Sequence, residues 1–120
     1  MASSLNNLAA LYQAQGQYAA AEPLHKRSLA IVEKALGPDH PDVANSLNNL
    51  AALYQAQGQY AVAESLYKRS LAMREKALGP NHPAVATALY NLAELYTMTG
   101  KTEEAKELRD RAAKIRELMR

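Results

Sequence analysis

The residue types that could do chemistry in this chain are few. Cysteine is absent, which excludes thiolate nucleophiles, thiolate metal ligands and disulfides and leaves the redox compartment open. The histidines are His25, His40 and His82. His40 and His82 lie 42 residues apart in matching Gly-Pro-Asp/Asn-His-Pro segments, so each belongs to its own loop and caps it better than it could share a metal. His25 stands where the matching segment carries Tyr67, which makes it a core-packing residue. No serine has a credible histidine and acid partner, and the glycines occur singly at turns, so neither acyl-transfer chemistry nor a phosphate-cradling loop is expected. The chain is therefore expected to be no enzyme and to need no cofactor or metal. Hydrogen bonding remains. Asn7, Asn49 and Asn91 recur at the same interval of 42. An amide both donates and accepts, so such a ladder can pair with the peptide bonds of an extended ligand whatever its sequence. It can equally keep a helix face soluble or bond within its own stack.

Charge narrows the partners. The formal net charge is +2, distributed as −1 over residues 1–44, +2 over 45–86 and +1 over 87–120. No block of like charge could track a phosphate backbone, so nucleic acid is not an expected partner. The mixed charges of 101–120, with Glu103–Glu107 and Glu107–Arg111 at helical spacing, read as a solvated terminal helix. No apolar run approaches the roughly 18 residues that span a bilayer, and the first residues lack the basic and apolar regions of a signal peptide. A soluble, cytoplasmic protein with no membrane contact is the expectation.

The elements that must position the asparagines come from a repeat. Residues 4–44 and 46–86 align at an offset of 42 and differ at only seven of 41 positions: 20/62, 23/65, 25/67, 31/73, 32/74, 39/81 and 42/84. A third copy holds the pattern at Leu89, Asn91, Leu92, Ala93, Leu95, Tyr96 and Gly100 before its second half turns charged. A fixed period of this size means stacked units sharing one core. Within a unit, Leu47, Leu50, Ala51 and Tyr54 fall on one face of a first helix, and Asn45, Asn48, Asn49, Ala52 and Gln55 on the other. Gly58 ends that helix at a left-handed position. A second helix spans about 60–78 with a buried stripe of Tyr60, Ala63, Tyr67, Ser70, Leu71, Ala77 and Leu78. Gly79-Pro80 stops it, and His82-Pro83 starts the next helix with an extended N-cap and Pro at the first helical position. Pro23 interrupts the second helix of the first unit and is expected to bend it slightly. The fold class is therefore all-α, with three helical hairpins at 3–40, 41–82 and 83–120 forming one domain of six helices.

Leu47, Leu50, Ala51, Tyr54, Gly58, Tyr60, Ala63, Tyr67 and Ser70, in that order, resemble the tetratricopeptide repeat. The usual period of that family is about 34. The longer period and the Gly-Pro-Asp/Asn-His-Pro loop resemble its kinesin-light-chain-like subgroup. The resemblance implies a right-handed superhelical solenoid that acts as a protein–protein interaction scaffold, with first helices lining a concave groove that takes an extended peptide. The groove residues it implies are Ser3, Asn6, Asn7, Ala10 and Gln13; Asn45, Asn48, Asn49, Ala52 and Gln55; and Thr87, Tyr90, Asn91, Glu94 and Thr97. Tyr90 replaces an asparagine and suits either an aromatic anchor or cap packing. Residues 42–67 contain no Lys or Arg, so a carboxylate clamp is not expected. Affinity for a short peptide is expected to be no tighter than about micromolar. Two further features favour a self-associating module, or an engineered array without a natural ligand. The first two units are nearly identical, and the uncapped first helix leaves Leu11 poorly covered, which predicts a homodimer or end-to-end stacking.

Overall fold

The computed structural model describes residues 2–118, with side chains from residue 4 onward. Six α-helices account for the regular structure, and no strand occurs among the described residues: α1 Ala2–Ala14, α2 Tyr18–Leu36, α3 Pro41–Ala56, α4 Tyr60–Leu78, α5 Pro83–Met98 and α6 Thr102–Leu118. The extensive helix contacts join only chain neighbours: α1 with α2, α2 with α3, and so on to α6. Three hairpins are thus stacked in order, within overall extents of 37 × 32 × 23 Å.

Local sequence sets both kinds of turn. At the inner turn the Gly58 N–H bonds the Gln55 carbonyl, and the residue sits at φ 79°, a left-handed conformation that costs glycine nothing. At the outer loop Gly79 takes φ 92° and ψ 153°, a region open essentially to glycine alone, while its N–H caps the Glu75 carbonyl. The next helix is opened by His82, whose Nδ1 accepts the Ala84 N–H at 3.1 Å, with Pro83 following. His40 does the same for Asp42 at 3.1 Å. The helix α2 runs unbroken across Pro23, its sixth residue.

The buried surface is wider than a single stripe in α3 and α5, because each is packed both by the preceding hairpin and by the second helix of its own. In α3, Val43, Ala44, Ser46, Leu47, Leu50, Ala51 and Leu53 are all buried. Leu53 meets the preceding hairpin through Ala21, Leu24 and Leu29, while Ala51 joins Ala63 and Tyr67 of its own hairpin and Leu92 and Ala93 of the next. In α4 the expected stripe holds at Ala63, Tyr67 and Ser70, but Ala77 is exposed and the buried position near that end is Arg74. A charged side chain was not a candidate for the core by type; it becomes one through the acceptors described next.

Candidate functional site

Arg74 is 5% exposed, and its guanidinium is satisfied without a carboxylate. Nη1 donates to the Ala84 carbonyl of α5 at 2.9 Å, and Nη2 donates to Asn45 Oδ1 of α3 at 2.7 Å. With its amide oriented to suit its neighbours, Asn48 also accepts from Arg74, at 3.0 Å from Nη2, and donates to Ser70 Oγ at 2.9 Å. Ser70 in turn donates to the buried Ala44 carbonyl at 3.0 Å. One arginine therefore ties three helices together, and burial lowers its pKa from the ordinary arginine value. Asn45 and Asn48 are engaged inside the stack, the bonding role that their sequence positions left open.

The same position behaves differently in the other units. In the third, Arg116 lies over the ring of Tyr90, 5.0 Å from its centre, so Tyr90 packs under the last helix as the cap reading expects. In the first, Val32 occupies it, and Asn6, the counterpart of Asn48, is left with a buried Oδ1 that has no partner among the described residues.

A second tie joins the two helices of the second and third hairpins. Tyr67 donates its hydroxyl to Gln55 Oε1 at 2.8 Å, and desolvation, followed by the nearby charge of Glu94, pushes the phenol up to about 12. In the third unit Arg109 donates to Thr97 Oγ1 at 2.9 Å. In the first, His25 is 4% exposed, and neither ring nitrogen has a partner among the described residues. Desolvation lowers its pKa from 6.5 and keeps the ring neutral. At the surface Lys26 pairs with Glu22 at 3.1 Å and Lys68 with Glu64 at 2.9 Å, the bonds that first raise the two lysines, and Lys101 of the third unit reaches Glu64 of the second at 3.4 Å.

The remaining asparagines gather along one side. A pocket of about 600 Å³ opens between α1 and α3, lined by Asn6, Asn7 and Gln13 of α1, Asn49 of α3, and Tyr18 and His25 of α2. A second pocket, about 360 Å³, lies between α3 and α5 and includes Gln55, Tyr67, Asn91 and Glu94. Ala52 and Ala56 line both, so the pockets form one trough along the first helices. Of the residues proposed from sequence, Asn6, Asn7, Gln13, Asn49, Gln55, Asn91 and Glu94 are brought together here. Thr87 is exposed and turns its hydroxyl to the Pro83 carbonyl at 3.4 Å, outside either pocket. The side chain of Ser3 lies outside the described residues. Arg74, His25 and Tyr67 were not among the candidates. The 25/67 and 32/74 differences between two otherwise identical units were the available signal.

Helical hairpins nested in chain order, with a trough on their first helices, define a helix–turn–helix solenoid whose class serves as protein-binding scaffolds. The chain belongs to the tetratricopeptide repeat family, whose sequence model matches residues 1–76 and again 48–117. It is similar to the nearly identical TPR-like repeats of a Podosopora anserina kinesin light chain, at 34% identity and a TM-score of 0.84 over 94% of this chain and 54% of that one. It also resembles BtubC (BKLC) from P. vanneervenii, at 29% identity and a TM-score of 0.89 over 98% of this chain and 47% of that one. The TPR domain of Arabidopsis FLU shares the fold, at 20% identity and a TM-score of 0.80 over 98% of this chain and 95% of that domain. This chain spans about half the length of the first two. No described helix is long and apolar enough to cross a membrane.

Proposed function

We propose that the chain docks an extended segment of a partner protein in the trough along α1, α3 and α5. The observation that carries this is the placement of the ladder: Asn7 and Asn49 line one pocket and Asn91 the next, on a surface continued by shared alanines. Asn7 and Asn49 are exposed and Asn91 half-buried, and none is engaged by the network that holds Asn45 and Asn48. Amides at a fixed interval suit main-chain hydrogen bonds, with the alanines leaving room for the peptide. No Lys or Arg lines either pocket, so the ligand is not chosen by a terminal carboxylate or an acidic motif. The test is a peptide-library pulldown with the chain and its N7A/N49A/N91A variant. Captured peptides should be lost from the variant, and undiminished capture would remove the trough assignment.

A second reading, self-association through the first helix, is favoured by one observation. Leu8 and Leu11 are 40% and 54% exposed, whereas their counterparts Leu50 and Leu53 are 5% and 0% exposed beneath the preceding hairpin. A second copy laid on that face would cover them. A concentration series in the ultracentrifuge decides it, since a constant monomer mass leaves the peptide-docking role alone.

A further inference from the structure

Two side chains lining the first pocket carry buried polar atoms without a partner among the described residues, and their counterparts elsewhere in the chain are engaged. His25 has no partner for Nδ1 or Nε2, and Asn6 none for Oδ1, among the described residues. One unit on, Tyr67 reaches Gln55 and Asn48 is held by Arg74. Two units on, Arg109 reaches Thr97, and Arg116 covers Tyr90. Two of the seven differences between the first units account for this. Tyr to His at 25 withdraws a hydroxyl and ring volume, and Arg to Val at 32 removes the guanidinium. The pocket they border is also the larger, about 600 Å³ against about 360 Å³, and carries Ala52 and Ala56 where the next has Glu94 and Met98. Desolvated polar atoms without partners are destabilising, so their retention in a pocket wall points to a ligand that supplies the missing bonds.

We infer that this pocket is a side-chain subsite for a primary amide, a Gln or Asn of the docked segment; the inference rests on the trough being the peptide site. Hydrogen-bond inventory selects the amide. A neutral imidazole turns its N–H and its bare nitrogen to opposite edges of the ring, so one ligand amide meets only one of them, and Asn6 Oδ1 is an acceptor. The imidazole N–H and Asn6 Oδ1 together complement an amide's carbonyl and N–H, with Asn7 and Asn49 beside them for the adjoining main chain. A carboxylate brings only acceptors and finds no cation in the lining. An ammonium or guanidinium finds no anion, and an aliphatic side chain leaves all three atoms bare.

The test uses the whole chain and short acetylated, amidated Ala–Gly peptides that differ only in a central Gln, Glu, Lys or Leu. Binding is followed by the backbone and side-chain amide NMR signals of α1, α2 and α3. The Gln peptide should bind about tenfold more tightly than the Leu and Glu peptides. H25Y and V32R each install in the first unit the residue that the second unit already accommodates, so both should fold. Each should bring the four affinities to within about twofold of one another. Equal binding of the four peptides, or a Gln preference that survives in both variants, overturns the subsite. If the peptides bind without preference and lose affinity in N7A/N49A/N91A, the trough stands and the subsite falls. If none binds, both fall.

Discussion

Arg74 shows how much of the stack can rest on one side chain. Its removal takes the donors from Asn45, Asn48 and the Ala84 carbonyl and leaves a gap where a buried guanidinium had been. R74V should therefore lower stability by about 2–3 kcal/mol in denaturant melts, and R74K should rescue little, since an ammonium cannot span the same fork. The reverse change is informative because Val32 leaves Asn6 Oδ1 unpaired. V32R should stabilise the chain by about 1 kcal/mol, and N6A should cancel that gain. His25 adds a pH dependence of definite sign. Burial lowers its folded pKa below 6.5, so the unfolded chain binds the proton more readily. The neutral ring's contribution is complete above pH 6.5, falls as the pH drops through 6.5, and levels only below the folded value. Between about pH 7.5 and pH 5.5 the denaturation midpoint of the chain should fall more steeply than that of H25Y, and parallel curves would remove the buried-neutral account. The burial of His25 was legible from Tyr67 at the matching position, whereas the ties of Arg74 and the unpartnered Asn6 Oδ1 were not. The asparagines were visible as a ladder. Which of them face the trough and which are tied to Arg74 depends on a neighbouring hairpin that periodicity within one helix cannot see.

The helices themselves were legible almost to the residue, because this chain punctuates them strongly. The expected second helix at about 60–78 is α4, Tyr60–Leu78, and Pro83 opens α5 behind a capping histidine, as the His-Pro pair predicts. Arg74 and Ala77 are where the single-stripe reading of α4 failed, since a helix contacted by both α3 and α5 buries a broader arc than one stripe. Two loop predictions belong at this level. A Cβ added at Gly79 would meet nothing within 4 Å, so any penalty there is conformational and not steric crowding by neighbours. With φ 92° and ψ 153°, G79A should cost about 1–3 kcal/mol in a thermal or chemical melt, and an unchanged melt would mean that the loop can re-form without glycine. H82A removes the Nδ1 acceptor from the Ala84 N–H and should cost about 1 kcal/mol, whereas H82N, which can still accept, should recover most of it.

Across the whole molecule, stability should follow the order of the stack. Each hairpin contacts only its neighbours, so a unit's stability is set by its own core and by the faces it shares. That sum is uneven here. In α5 the buried set runs to Val85, Ala86, Ala88, Leu89, Leu92, Ala93, Leu95 and Tyr96, whereas among the described side chains of α1 only Ala9 is buried. The first hairpin also lacks the arginine tie and carries His25 and Asn6 Oδ1 without partners among the described residues. Native-state hydrogen exchange should therefore find α1 opening at the lowest free energy, with α3 and α5 exchanging most slowly. Fusing another copy of residues 41–84 in front of the first unit, which keeps the 42-residue register, tests the cause. If the exposed Leu8 and Leu11 are what weakens α1, the added second helix should cover them and slow exchange in α1 by about tenfold or more, while α5 changes little. If α1 still exchanges fast with those leucines covered, the weakness lies in the missing internal bonds, and V32R should then slow exchange where the added unit did not.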